Sequence, residues 1–200
     1  MNIKKVKTAF KIADVTWDGK STKLNFVYLK EIKDENGVLL PQSILTTNVA
    51  RVYLIVVDGE IYKIGGSQDK GGIKKTLSIY QDGGVKGRPS IRSFGIWYFL
   101  YYTMLKGKKI EFYMIYQDNF STEVKGLFGL NYVDNASLSY KLIEEQCVKD
   151  YKGMENNSFP KWNVQEQFGD WPDEIKKEHA NITKQSIKKE KRIGRKQTKI

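Results

Sequence analysis

Hydrophobic and polar positions alternate most clearly at 51–67, RVYLIVVDGEIYKIGGS, where two apolar, β-branched runs flank Asp58-Gly59. Asp-Gly between such runs signals a β-hairpin. Upstream, TAFKIADVTW (8–17) and KLNFVYLKEI (23–32) read as two strands joined at Asp18-Gly19. DENG (34–37) is a turn, and 41–48 is a connector. The Gly- and Lys-rich stretch 65–90 is mostly loop, with a short helix over 73–80. PSIRSFGIWYFLYYTML (89–105) is apolar almost all round and starts with Pro89 at a first helical position, which predicts a buried helix. IEFYMIY (110–116) reads as a strand and 117–137 as polar loop. LSYKLIEEQCVKDYK (138–152) has the spacing of an amphipathic helix, with Leu138, Leu142, Ile143, Val148 and Tyr151 facing inward and its end at Gly153. FPKWN (159–163) closes the pattern.

Composition narrows the chemistry. The chain has 200 residues, 40% hydrophobic and 12% aromatic, enough for one domain with a sizeable core. One cysteine, Cys147, excludes an internal disulfide and a cysteine-built zinc site, and fits a reducing compartment. One histidine, His179, excludes a histidine-cluster metal site. No secretory h-region and no apolar run of about 18 residues is present, so the expectation is a cytoplasmic protein with no membrane contact. The net charge is +11, and residues 176–200 carry ten Lys/Arg against two Glu, a local +8. The basic excess is therefore mostly a tail, fitted either to solvent or to phosphates.

The order of VYL (52–54), turn, KIG (63–65), Arg-bearing helix, strand, Glu-bearing helix and PKWN (160–163) resembles the GIY-YIG nuclease family. Lys63 stands where the family's second tyrosine stands, and in this it is most similar to the type II restriction endonuclease members. The resemblance covers residues 51–163. It implies an α/β (α+β) fold with a small, mainly antiparallel sheet flanked by helices. The expected division is an N-terminal β extension (1–50), the nuclease-like core (51–163) and a basic C-terminal helical arm (164–200).

The resemblance also implies roles. Tyr53 would stand beside the attacking water, Arg92 would stabilise the phosphate, Glu144 would hold one Mg²⁺ (or Mn²⁺), and Asn163 would brace the site. Arg88 is a second candidate for the arginine. A family histidine one turn after the arginine is replaced by Ile96. The residues themselves add four expectations. A single protein carboxylate suits magnesium, which keeps most of its waters. Glu144 is preferred to Glu145 because Cys147 and Val148 follow it at i+3 and i+4, while Glu145 is turned by ~100°. Tyrosine is a poor base at its ordinary pKa of ~10, and Lys63 is the cation that would lower it. A bulged three-residue connection at Asp58-Gly59 would pair Tyr53 with Lys63 directly.

The expected activity is hydrolysis of double-stranded DNA by a type II restriction-type endonuclease acting as a homodimer. Lys70, Lys74, Lys75, Lys86, Lys188, Lys189 and Arg192 are the candidate DNA contacts, with base readout from the loops 66–88 and 117–137. Alternatives are a homing or repair nuclease, and a non-catalytic DNA- or RNA-binding module on the same scaffold. Asp18 with Glu31 and Lys33, or PDEIK at 172–176, loosely mimics a different nuclease signature.

Overall fold

The computed structural model describes residues 1–83, 89–167 and 169–197, with side chains described through residue 185. Arg88 and Lys86 lie outside the described residues. The side chains of Lys188, Lys189 and Arg192 do too.

The strands are β1 (Phe10–Trp17), β2 (Leu24–Tyr28), β3 (Ile32–Lys33), β4 (Leu39–Leu40), β5 (Ala50–Val57), β6 (Glu60–Ser67), β7 (Ile110–Gln117), β8 (Phe120–Gly126) and β9 (Gly129–Ala136). The helices are α1 (Gly72–Ser78), α2 (Ile91–Leu105), α3 (Tyr140–Met154) and α4 (Asp173–Gln197). Five strands form one sheet in the order β2-β1-β7-β5-β6, every neighbouring pair antiparallel. The expected α+β architecture is thus present, and the N-terminal strands extend the core sheet through the β1–β7 pairing.

β5 is buried along its whole length, which explains its unbroken apolar run. Tyr53, Ile55 and Val57 face a core shared with α1, α2 and the start of α4 through Ile73, Phe94, Leu100 and Ile175. Val52, Leu54 and Val56 face the opposite way, toward Ile143, Val148 and Tyr151 of α3. The sheet therefore lies between α3 and the other three helices. Ser90 and Ser139 cap α2 and α3 by accepting from Ser93 N and Lys141 N. Pro89 consequently precedes the helix instead of opening it. Leu142 is exposed, because the face of α3 that meets the sheet is the one carrying Ile143, Cys147, Val148 and Tyr151.

Two expectations need correction. Residues 117–137 are not loop but a hairpin, β8–β9, a separate two-stranded sheet with nearly every side chain exposed. At its turn Leu127 and Phe128 are 95% and 101% exposed. Its connection lacks a turn dipeptide, and its apolar residues do not sort to one face, so the usual hairpin signals are missing. The β5–β6 connection is also different. Asp58 (φ 49°) and Gly59 (φ 84°) form a tight two-residue turn pairing Val57 with Glu60. Asp58 tolerates this conformation, and its carboxylate is held by Lys108 Nζ (2.6 Å) and Lys109 N (3.0 Å). Among the described residues no helix is long and apolar enough to cross a membrane.

Candidate active site

The bulge missing from the turn lies inside β6. Val56 pairs with Ile61 and Ile55 with Lys63, leaving Tyr62 as the extra residue. A regular ladder from Val57–Glu60 would have set Lys63 opposite Leu54, on the α3 side. The bulge moves it to the face of Ile55 and Tyr53. Tyr53 itself pairs with Gly65, not with Lys63, so the two share a face but are offset along the ribbon. The bulge is pinned from outside: Trp162 N donates to Tyr62 O (2.7 Å), and the two rings meet edge to face at 5.2 Å. Asn163, fully buried, accepts from Ile64 N (2.9 Å) and donates to Ile64 O (2.8 Å), acting as a surrogate strand.

Gly65 and Gly66 open the edge strand to both faces. A Cβ at Gly65 would overlap the Tyr53 ring. A Cβ at Gly66 would overlap Tyr140 and lie 2.7 Å from Glu144 Oε2. The two missing side chains let Glu144, from α3 on one side, approach the Tyr53 and Lys63 face on the other. Gly66 N–H hydrogen-bonds the Glu144 carboxylate. Glu145 is exposed. Glu144, Gly66, Arg92, Tyr140 and Glu166 line a cleft of about 1100 Å³, and Tyr53 and Lys63, 2% and 1% exposed, lie beneath it.

The electrostatics link these groups. Burial raises the Glu144 carboxyl above its ordinary pKa, while Gly66 N–H, Lys63 and Arg92 pull it down. Burial lowers Lys63 from the usual 10.5, opposed by Glu166, whose Oε1 lies 3.4 Å from Nζ. Arg92 Nη2 reaches the same oxygen at 3.3 Å. Tyr53 departs from the expected lowering. Burial pushes its pKa well above 10, Tyr80 adds to this, and the cation that opposes it is Arg92 rather than Lys63. The Tyr53 and Tyr80 hydroxyls are 2.7 Å apart. In this state Tyr53 is a neutral phenol that can orient a neighbour but not take a proton from it.

Sequence reading missed Tyr80, Glu166 and Arg51. Tyr80 follows α1 in a polar stretch, and Glu166 lies beyond the segment that resembles the nuclease core. Arg51 is fully buried and donates to Thr47 O, Val49 O and Asp69 O, tying the loop before β5 to the loop after β6. A charged residue opening an apolar strand was the available signal. Of the DNA-contact candidates, Lys70 and Lys75 are exposed, while Lys74 lies 5.0 Å over the Tyr28 ring of β2, at the sheet's far edge. The rival nuclease signature has no site: Asp18 is engaged by its own turn, accepting from Lys20 N and Ser21 N, and Asp173 pairs with Lys176. Among the described residues no group of three or more His, Cys, Asp or Glu could hold a metal. Glu144, which shares the cleft lining with Glu145, Asp150 and Glu166, leaves space there for waters and phosphate, a setting that fits Mg²⁺.

No protein-family model matches the chain, and no curated protein matches it in sequence. Among solved structures it is similar to a point mutant of bacteriophage T4 EndoII, with a TM-score of 0.51 and 14% identity over 82% of this chain and 99% of that one. The restriction endonuclease HPY188I in complex with product DNA gives a TM-score of 0.45 and 20% identity, over 80% and 84% of the two chains. The chain therefore has the fold of T4 EndoII.

Proposed function

We propose that this protein is an endonuclease that hydrolyses phosphodiester bonds of double-stranded DNA, as a type II restriction-type enzyme of the GIY-YIG kind. The observation that carries this reading is that Arg92 and Glu144 line one cleft at the Gly65-Gly66 edge, with Tyr53 and Lys63 buried next to it and electrostatically coupled to both. The shared fold with EndoII, an endonuclease by name, supports it.

Glu144 would hold a divalent cation, and a bound Mg²⁺ supplies charge stabilisation and water activation. Arg92, at the cleft wall, neutralises charge on the equatorial phosphate oxygens. Tyr53, locked against Tyr80, orients the attacking water through its hydroxyl. Lys63, an ammonium on the Tyr53 face of the sheet, would stabilise the hydroxide as it forms. Asn163 holds the bulge that aims Lys63, and so acts by positioning. Cutting both strands of a duplex calls for two such sites related by a two-fold axis, and hence a homodimer.

The test is incubation with phage DNA and Mg²⁺, beside Glu144→Ala. Discrete bands lost in the variant establish a restriction-type enzyme, and a smear establishes a nonspecific nuclease. A gel shift without cleavage establishes a nucleic-acid-binding module and refutes the enzyme.

A further inference from the structure

Glu166 belongs to no element that the nuclease reading uses. It lies on a short 3-10 turn, Gln165–Gln167, after the Asn163 brace. Yet its Oε1 is the point where two cations from different elements meet, Lys63 Nζ at 3.4 Å and Arg92 Nη2 at 3.3 Å. These cations otherwise work against each other, and Lys63 has almost no contact with water. An anionic oxygen between a lysine and an arginine, at the wall of a cleft, is the arrangement a non-bridging phosphate oxygen requires. Both contacts exceed the 2.7–2.9 Å typical of a strong charge-assisted bond, so the carboxylate is loosely held. Its turn is a single short one, and its side chain is one-quarter exposed at the cleft.

We propose that Glu166 is an internal stand-in for the substrate phosphate: it neutralises Lys63 and Arg92 in the free protein and is displaced when a phosphodiester oxygen takes its seat. The identity of the displacing group as DNA rests on the endonuclease reading; the anion seat does not. Glu166 and a phosphate cannot share the two cations, because they repel each other and compete for the same donors. Withdrawal of Glu166 also uncovers Lys63, which has to reach the cleft in order to act. A small free anion meets the full competition of the carboxylate. A duplex engages the protein at many phosphates at once, and so displaces it more readily.

The test uses the full chain in EDTA, with inorganic phosphate as probe and calorimetric titration as readout. Glu166→Gln should bind phosphate about five- to tenfold more tightly than the wild type, the range set by removing one competing ion pair. Adding Lys63→Met should abolish that gain. Glu166→Asp, whose shorter side chain withdraws from both cations, should fall between, and guards against a Gln variant that does not fold. Phosphate affinity unchanged or weakened in folded Glu166→Gln overturns the proposal. If Mn²⁺ affinity falls instead, Glu166 is a metal ligand; if only the melting temperature falls, it is a brace. Tighter phosphate binding in a protein that cuts no DNA would leave the anion seat standing and remove the nuclease.

Discussion

Lys63→Met separates what the lysine does for the fold from what it does for the site. The ammonium is 1% exposed, and its hydrogen-bonding acid among the described residues, Glu166, stands at a long 3.4 Å. Arg92 adds repulsion. Replacing a buried ion pair by apolar side chains of similar volume is often neutral or stabilising by ~1–4 kcal/mol, and removing one partner is costly only where it strands the other. Glu166 retains Arg92 as a partner, so little is lost on that side. We expect Lys63→Met to gain about 1–2 kcal/mol at pH 7, measured by urea unfolding with an unchanged m-value. The gain depends on pH. The folded-state pKa of Lys63 lies below 10.5, so above it the unfolded chain binds more protons and wild-type stability rises with pH. The advantage of the variant is thus full below the folded-state pKa and fades as pH climbs from there toward 10.5. The same variant should lose cleavage by about 10²-fold or more. A variant less stable than wild type by more than about 1 kcal/mol would show that the ammonium is held by a net favourable interaction, and would refute the reasoning. A variant that still cleaves would refute the role assigned to Lys63.

Asn163→Ala strands both backbone groups of Ile64, each worth ~1–3 kcal/mol when buried and unpaired, so a loss of about 2–5 kcal/mol is expected from chemical denaturation. A loss below about 1 kcal/mol would mean that water takes over both bonds. Gly66→Ala should leave the melting transition cooperative while displacing Glu144, seen as weakened Mn²⁺ binding and lost cleavage; full cleavage would show that the close approach is dispensable. Tyr53→Phe leaves the buried Tyr80 hydroxyl without its partner, so a stability loss of ~1–2 kcal/mol should accompany lost cleavage. Retained cleavage would remove Tyr53 from the chemistry.

The β5–β6 hairpin was legible because Asp58-Gly59 sits between β-branched runs, α2 because it is apolar almost all round after Pro89, and α3 because its spacing was helical. The register was not legible. The bulge at Tyr62 is chosen by Trp162 and Asn163, about a hundred positions away, and nothing local to Tyr62 announces it. Tyr53 and Lys63 were expected on one face, and they are, but through a kink at another place than the one inferred. The phenol's raised pKa escaped notice for a similar reason: burial under Gly65 and contact with Tyr80 are tertiary facts. Glu166 gave no signal at all, since an acid in a polar run owes its importance entirely to what folds against it.

The last strand of the sheet has a further consequence. On its outward side Tyr62 O, Ile64 N and O, and Gly66 N are taken up in turn by Trp162, Asn163 and Glu144. A border finished in this way offers no template to a foreign β-segment, so the protein can keep an open groove beside its rim without inviting neighbours to stack there. The carboxylate proposed to hold a metal ion is thereby also the last stitch in that seam.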